Sequence, residues 1–158
     1  MGVVSNQSDL RLDVQDLKRA AKKIVFTNGC FDLLHPGHVK LLEQAKSLGD
    51  TLIVGINSDG SVRKNKGANR PVMPAGERAE ILAGLAAVDY VVVFDEPTPR
   101  ELIAAILPNI LVKGSDWGAD EIVGREDVEG VGGRVVSIPV EPGFSTTNLI
   151  LRIQRLRA

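Results

Sequence analysis

Three short runs, residues 23–28 (KIVFTN), 51–57 (TLIVGIN) and 89–94 (DYVVVF), are rich in Val and Ile and almost continuously apolar. A strand with one wet face alternates; a continuous run reads as a strand buried on both faces, as in a parallel sheet covered by helices. Between these runs the period changes. Residues 36–50 place Val39, Leu41, Leu42, Ala45 and Leu48 at helical spacing, and residues 74–89 do the same with Ala79, Ile81, Leu82, Leu85 and Ala86. The alternation continues with a helix over 98–108, a strand over 109–114, a helical or irregular stretch over 118–133, a strand over 134–140 and a last helix over 145–158. This order predicts an α/β, Rossmann-like doubly wound sheet of about five parallel strands with helices on both faces. In such a sheet ligands bind beyond the carboxyl ends of the strands, where the strand order reverses, so the loops that matter run from strand to helix.

The 158 residues fit one domain and bury roughly 70% of the unfolded surface, enough for a core. Residues 1–22, with Leu10, Val14, Leu17 and Ala21 at helical spacing, read as a docking helix ahead of a domain over 23–158. A net charge of −1 gives no global attraction to nucleic acid or membrane, so an anionic ligand must be held locally. Cys30 is the only cysteine, which leaves no internal disulfide. The start has no signal-peptide pattern, no run is long enough to span a membrane, and Asn6 stands where myristoylation needs Ser or Thr. These features predict a cytoplasmic protein.

Both histidines of the chain lie in GCFDLLHPGHVKLL, residues 29–42, in the first strand-to-helix loop. Pro36 suits the first helical position, and Gly37 leaves the backbone open to close approach. His35 and His38, at i and i+3, face one ligand together with the free N–H groups and positive dipole end of the helix, an arrangement for phosphate. A lone loop histidine is more often structural, but both together in the expected ligand loop favour function. Metal ligation is disfavoured: the pair has no nearby cysteine and only Asp32 as a carboxylate.

A second helix start, GFSTTNLI at 143–150, offers Ser145, Thr146 and Thr147. One hydroxyl caps a helix; three exceed that need, and the surplus could clamp phosphate from the opposite side. A basic run over 61–72 carries Arg63, Lys64, Lys66 and Arg70 in a Gly, Asn and Pro-punctuated loop, read as polyphosphate neutralisation with freedom to close. A fourth patch, LVKGSDW at 111–117, places Lys113, Gly114, Asp116 and Trp117 after the fourth predicted strand, where they could meet a base or sugar; a core role for Trp117 is equally open. Gly55 and Gly60 have the spacing of a Walker-type phosphate loop, but Ser61 and Val62 stand where Lys and Ser/Thr are required. Neither G-x-S-x-G nor G-x-G-x-x-G occurs, and Cys30 has no base at fixed spacing.

The segments TNGCFDLLHPGH and GFSTTNLI together resemble the two signatures of the HxGH nucleotidyltransferase superfamily, the cytidylyltransferase-like enzymes. The likeness runs from about Lys23 to Arg155 and is strongest to the heptose 1-phosphate adenylyltransferase domain of a bifunctional kinase/adenylyltransferase. It implies conversion of ATP and D-glycero-β-D-manno-heptose 1-phosphate to ADP-heptose and pyrophosphate for lipopolysaccharide core assembly. Mg²⁺ would be carried on the ATP phosphates, a separate heptose 7-phosphate kinase would supply the substrate, and the chain would form a homo-oligomer. The resemblance implies catalytic roles for His35, His38, Lys64 and Lys66. It implies nucleotide contacts from Thr27, Asn28, Gly29, Cys30, Phe31, Gly37, His38, Lys113, Gly114, Asp116, Ser145, Thr146 and Thr147. Substrate contacts are implied for Asp32, Arg63, Lys64, Arg78 and Trp117. Related glycerol 3-phosphate cytidylyltransferases carry an arginine where Val140 stands, which weighs against CTP. The alternatives are transfer to glycerol 3-phosphate or another sugar phosphate, and a nucleotide-binding sensor or assembly module without catalysis.

Overall fold

Each of the five apolar runs forms a strand in the computed structural model, which describes residues 1–114 and 122–157. Among the described residues the order is β1 (Val3–Ser5), α1 (Gln7–Arg19), β2 (Ile24–Gly29), α2 (Pro36–Ser47), β3 (Thr51–Asn57), α3 (Asp59–Lys66), α4 (Ala75–Ala83), β4 (Tyr90–Phe94), α5 (Arg100–Ile106), β5 (Ile110–Gly114), α6 (Arg125–Gly130), β6 (Arg134–Ile138) and α7 (Thr146–Arg155). All strand pairs are parallel, in the order β1-β4-β3-β2-β5-β6. From β2 the chain steps outward through β3 and β4, then crosses back to lay down β5 and β6 on the other side. The reversal lies between β2 and β5, so Asn28–Gly29 and Lys113–Gly114 end side by side. Two side-chain bonds bind those strands: Thr27 Oγ1 donates to the Val112 carbonyl at 3.0 Å, and Lys113 Nζ donates to Asn28 Oδ1.

Strand alternation divides the core. Val25, Leu52, Val54, Ile56, Val91, Ile110 and Val112 pack on one face with Leu42 and Ala45 of α2 and Ala79 and Leu82 of α4. Ile24, Phe26, Ile53, Val92, Phe94 and Leu111 pack on the other with Leu10 and Val14 of α1, Leu102, Ile103 and Ile106 of α5, and Val128 of α6. Every residue of β3 is buried, which is why its sequence does not alternate. No helix of the described residues is long and apolar enough to cross a membrane.

Two elements differ from expectation. The sheet has six strands, because Val3–Ser5 pairs with Tyr90–Val92; three residues at a sheet edge are too short to carry a period. The basic run over 61–72, read as loop, is helical up to Lys66, as part of helix α3. It holds one buried apolar side chain, Val62, so it shows no stripe, and polar bonds define it. Ser58 Oγ accepts the Ser61 N–H at 3.2 Å, and Asp59 Oδ1 accepts the Ala75 N–H at 2.9 Å.

Gly55 sits mid-strand in β3, where an added Cβ would stand 2.8 Å from Phe26 Cζ and 3.2 Å from Leu102 Cδ2. The missing side chain is what admits the Phe26 ring. Gly55→Ala is expected to lower the unfolding free energy by about 1–3 kcal/mol through overpacking. Urea denaturation measures this, and an unchanged midpoint would contradict the packing.

Candidate active site

The loop from β2 to α2 is shaped by Phe31, whose φ of 46° is left-handed although it carries a buried side chain. Such a conformation is tolerated where the surroundings hold it, and here the Phe31 ring packs on His38 at 5.1 Å between centroids. His35 is the N-cap of α2, with extended φ and ψ, and Pro36 takes the first helical position. The two imidazoles stack, 3.7 Å between centroids and 20° between planes. The His35 N–H donates to His38 Nδ1 at 3.4 Å, while His35 Nδ1 is buried with no partner. An acceptor at Nδ1 assigns the proton of neutral His38 to Nε2, leaving that N–H for a ligand. Gly37 is required by this packing: a Cβ there would lie 3.0 Å from His35 Nδ1 and 3.2 Å from Phe144 Cβ.

Burial foremost, then the neighbouring His35 and Lys66, lowers the His38 pKa to about 4; burial also lowers that of His35. His38 is therefore a neutral donor at neutral pH.

Phe144 continues the column, its ring 6.1 Å from His35 and nearly parallel. It brings the start of α7 to the start of α2. Ser145 Oγ accepts the Asn148 N–H at 3.0 Å, the ordinary capping bond, and Thr146 Oγ1 donates to the Leu33 carbonyl at 3.1 Å. Two of the three hydroxyls thus fix the helix start, leaving Thr147 and the first-turn N–H groups for a ligand. An ion pair of 2.6 Å between Lys40 and Glu141 adds a further tie. The result is a cavity of about 270 Å³ lined by His35, Gly37, His38, Lys66, Val140, Phe144 and Ser145–Thr147, with two helix N-termini at its wall.

An adjoining cavity of about 190 Å³ is lined by Asn28, Gly29, Cys30, Phe31, Asp32, His38, Lys66, Arg70 and Thr146. The structure therefore brings together most of the residues expected at the site. Others it places elsewhere. Arg63 and Lys64 are exposed on α3 and line neither cavity; only Lys66, at the helix end, reaches both. Thr27 is buried beneath the site and serves the sheet. Arg78, expected to touch substrate, is buried with no exposed side chain; it donates to the carbonyls of Met73, Cys30 and Asn57 and to Asp59. Asp32, also expected to touch substrate, is occupied by Arg70 Nε at 2.7 Å and by the N–H groups of Val72 and Met73 at 2.9 Å. Burial opposes its charge, but the Val72, Met73 and Arg70 donors prevail and hold its pKa below the usual value. Asp116 and Trp117 lie outside the described residues.

Lys113 lines a third cavity, about 230 Å³, with Asn65, Thr98, Pro99 and Ile122; burial lowers its pKa to about 8. Gly114 lets Val140 approach, since a Cβ would meet Val140 Cγ2 at 3.3 Å. A larger cavity, about 500 Å³ beside Arg100 and α6, holds neither histidine. Convergence of strand ends and helix starts, more than volume, distinguishes the site. Phe144 is the contact that sequence reasoning missed; an aromatic directly before a run of hydroxyls was its only signal.

The cytidylyltransferase-like family model matches residues 26–152, from β2 into α7. The chain belongs to this family. It is 53% identical over 150 residues to the bifunctional protein HldE of Pelobacter propionicus, covering 95% of this chain and 31% of that protein. It is 57% identical over 136 residues to HldE of Syntrophotalea carbinolica, covering 86% and 28%. The chain thus spans about a third of the length of these curated relatives. The crystal structure of the lipopolysaccharide core biosynthesis protein from Thermoplasma volcanium superposes with a TM-score of 0.62 at 28% identity, over 76% of this chain and 97% of that one. Pantoate-beta-alanine ligase from Francisella tularensis shares the fold alone, with a TM-score of 0.66 at 17% identity over 100% of this chain and 79% of that one.

With a folded pKa of about 4 against about 6.5 unfolded, the unfolded chain takes up the His38 proton first as pH falls. Stability is therefore expected to decline as pH falls from about 6.5 to 4. Melting temperatures across that window measure it, and His38→Gln should flatten the slope; equal slopes in both proteins would refute the assignment.

Proposed function

We propose that the chain is an adenylyltransferase converting ATP and D-glycero-β-D-manno-heptose 1-phosphate to ADP-heptose and pyrophosphate, in lipopolysaccharide core heptose synthesis. The observation that carries this reading is the stacked His35–His38 pair facing Ser145–Thr147 and Lys66 around one cavity. The strong identity to HldE proteins and the likeness to a lipopolysaccharide core biosynthesis protein support the sugar.

The sugar phosphate oxygen attacks the α-phosphorus of ATP in line; the bond to the bridging oxygen breaks, and its electron pair leaves with pyrophosphate. No protein nucleophile is needed, so Cys30, whose Sγ lies 3.7 Å from Asn57 Oδ1, is assigned no covalent role. The protein supplies positioning and charge stabilisation. His38 Nε2–H and the first-turn N–H groups of α2 and α7 donate to the phosphates, and Lys66 adds a full positive charge. These donors gain strength as negative charge moves to the leaving group. Among the described residues no three His, Cys, Asp or Glu side chains converge to hold a metal. Mg²⁺ would arrive carried on the triphosphate rather than in a cluster of protein ligands, and would supply neutralisation of phosphate charge beside Lys66. A kinase acting on the sugar must precede this step, ATP as donor suits a cytoplasmic setting, and light scattering reads the homo-oligomer included in the proposal; a monomeric mass removes it.

His38→Ala is expected to lower kcat by about 100-fold while the fold is retained. An unchanged kcat would remove His38 from the mechanism. A pyrophosphate-release screen crossing ATP and CTP with heptose 1-phosphate, hexose 1-phosphates and glycerol 3-phosphate should favour ATP with the heptose. Preference for CTP would support the cytidylyl alternative, and no release with any pair would leave a binding module.

A further inference from the structure

Lys66 is the cation shared by both site cavities, and the chain that follows it has no fully buried apolar side chain before α4: Pro71 and Met73 are half-buried. Gly67 ends α3 with φ of 96°, residues 67–69 are exposed, and Val72 is 54% exposed. What fixes this segment is polar. Arg70 Nε donates to Asp32 Oδ2 at 2.7 Å, the Val72 N–H is shared between both Asp32 oxygens at 2.9 Å, and the Met73 N–H reaches Oδ1 at 2.9 Å. Behind it, Asp59 accepts the Ala75 N–H, and Arg78 ties the Met73 carbonyl to those of Cys30 and Asn57. Asp32 itself stands on the loop that carries His35 and has no exposed side-chain surface.

We propose that Asp32 is a positioning residue: its carboxylate latches residues 70–73 onto the histidine loop and so sets Lys66 beside His38 for the phosphates. The inference rests on the adenylyltransferase reading only in taking nucleotide phosphate as the partner of Lys66. A carboxylate is required because three donors converge on two acceptor-only oxygens; an amide would turn its own N–H₂ toward one of them. Arg70 also cancels the Asp32 charge, so the phosphates meet no bare anion at the cavity wall. Two residues of the basic segment therefore act differently: Lys66 meets ligand, and Arg70 closes the latch.

A double-mutant cycle of Asp32→Asn with Lys66→Ala tests this, read by pyrophosphate release and by Mg-ATP affinity from calorimetry, with melting curves to verify folding. Asp32→Asn alone should lower kcat by about 100-fold, the scale of a small misplacement in the site. In the Lys66→Ala background it should add little, because both changes remove one interaction. A full loss in that background would overturn the proposal. Arg70→Met, which keeps the carboxylate and its backbone bonds, should lose less but show the same dependence on Lys66, and it decides the matter if Asp32→Asn does not fold. The His38 titration followed by NMR gives a readout of opposite signs. Releasing Lys66 should raise the His38 pKa above about 4, whereas mere loss of a nearby anion would lower it. A fall or no change would overturn the inference. If the unmodified protein transfers to no phosphorylated sugar, the adenylyltransferase reading fails, and the Mg-ATP affinity cycle still decides the role of Asp32.

Discussion

Because the six strands run parallel, each strand-to-helix loop leaves the same edge of the sheet, and the return of the chain across β2 opens a crevice there. The site depends on that reversal. It sends the loop bearing His35 and His38 away from β2 and brings the start of α7 back from β6 to meet it. The contact between the two is a column of rings, Phe31, His38, His35 and Phe144, reinforced by Thr146 on the Leu33 carbonyl. Ring stacking excludes water from one side of His38 and keeps it neutral, so the site presents N–H donors and helix dipoles more than formal charge.

Charge is used sparingly in this arrangement. The chain is nearly neutral, and of the cations near the site Arg70 and Arg78 are consumed by Asp32 and Asp59. The first pair fastens the α3–α4 connection to the histidine loop; the second ties α3 to α4, and Arg78 reaches the histidine loop through the Cys30 carbonyl. Lys66 remains to meet an anionic ligand, and Lys113, its charge weakened by burial, bridges to Asn28. A buried pair is not strong evidence of net stability, but breaking one leaves an uncompensated charge. The fold and the site are therefore joined through Asp32 and Arg78.

The elements that were legible in the sequence are those with a repeated apolar pattern. Strands β2 to β5 were visible because both their faces are largely covered, β6 because Val135, Val136 and Ile138 form a short apolar run, and α2 because its apolar spacing follows Pro36. Strand β1 and helix α3 were not, since three edge residues and one buried valine carry no period. Arg78 looks, in sequence, like any cation beside a basic run; only its burial against three carbonyls makes it structural. Ser145 and Thr147 are likewise indistinguishable until one of them proves to be a cap.

By itself the sequence determined the fold class, the strand-to-helix loop that carries both histidines and the two helix starts that meet at one cavity, because these follow from hydrophobic period, Pro and Gly placement and local capping. Which polar residue faces the ligand and which faces the protein was decided by tertiary structure alone. Apart from the Met73 carbonyl, five positions from Arg78, the hydrogen-bond partners of Asp32, Arg70 and Arg78 lie 19 to 48 positions away in the chain. No local pattern encodes such partners; burial and geometry select them once the sheet has folded.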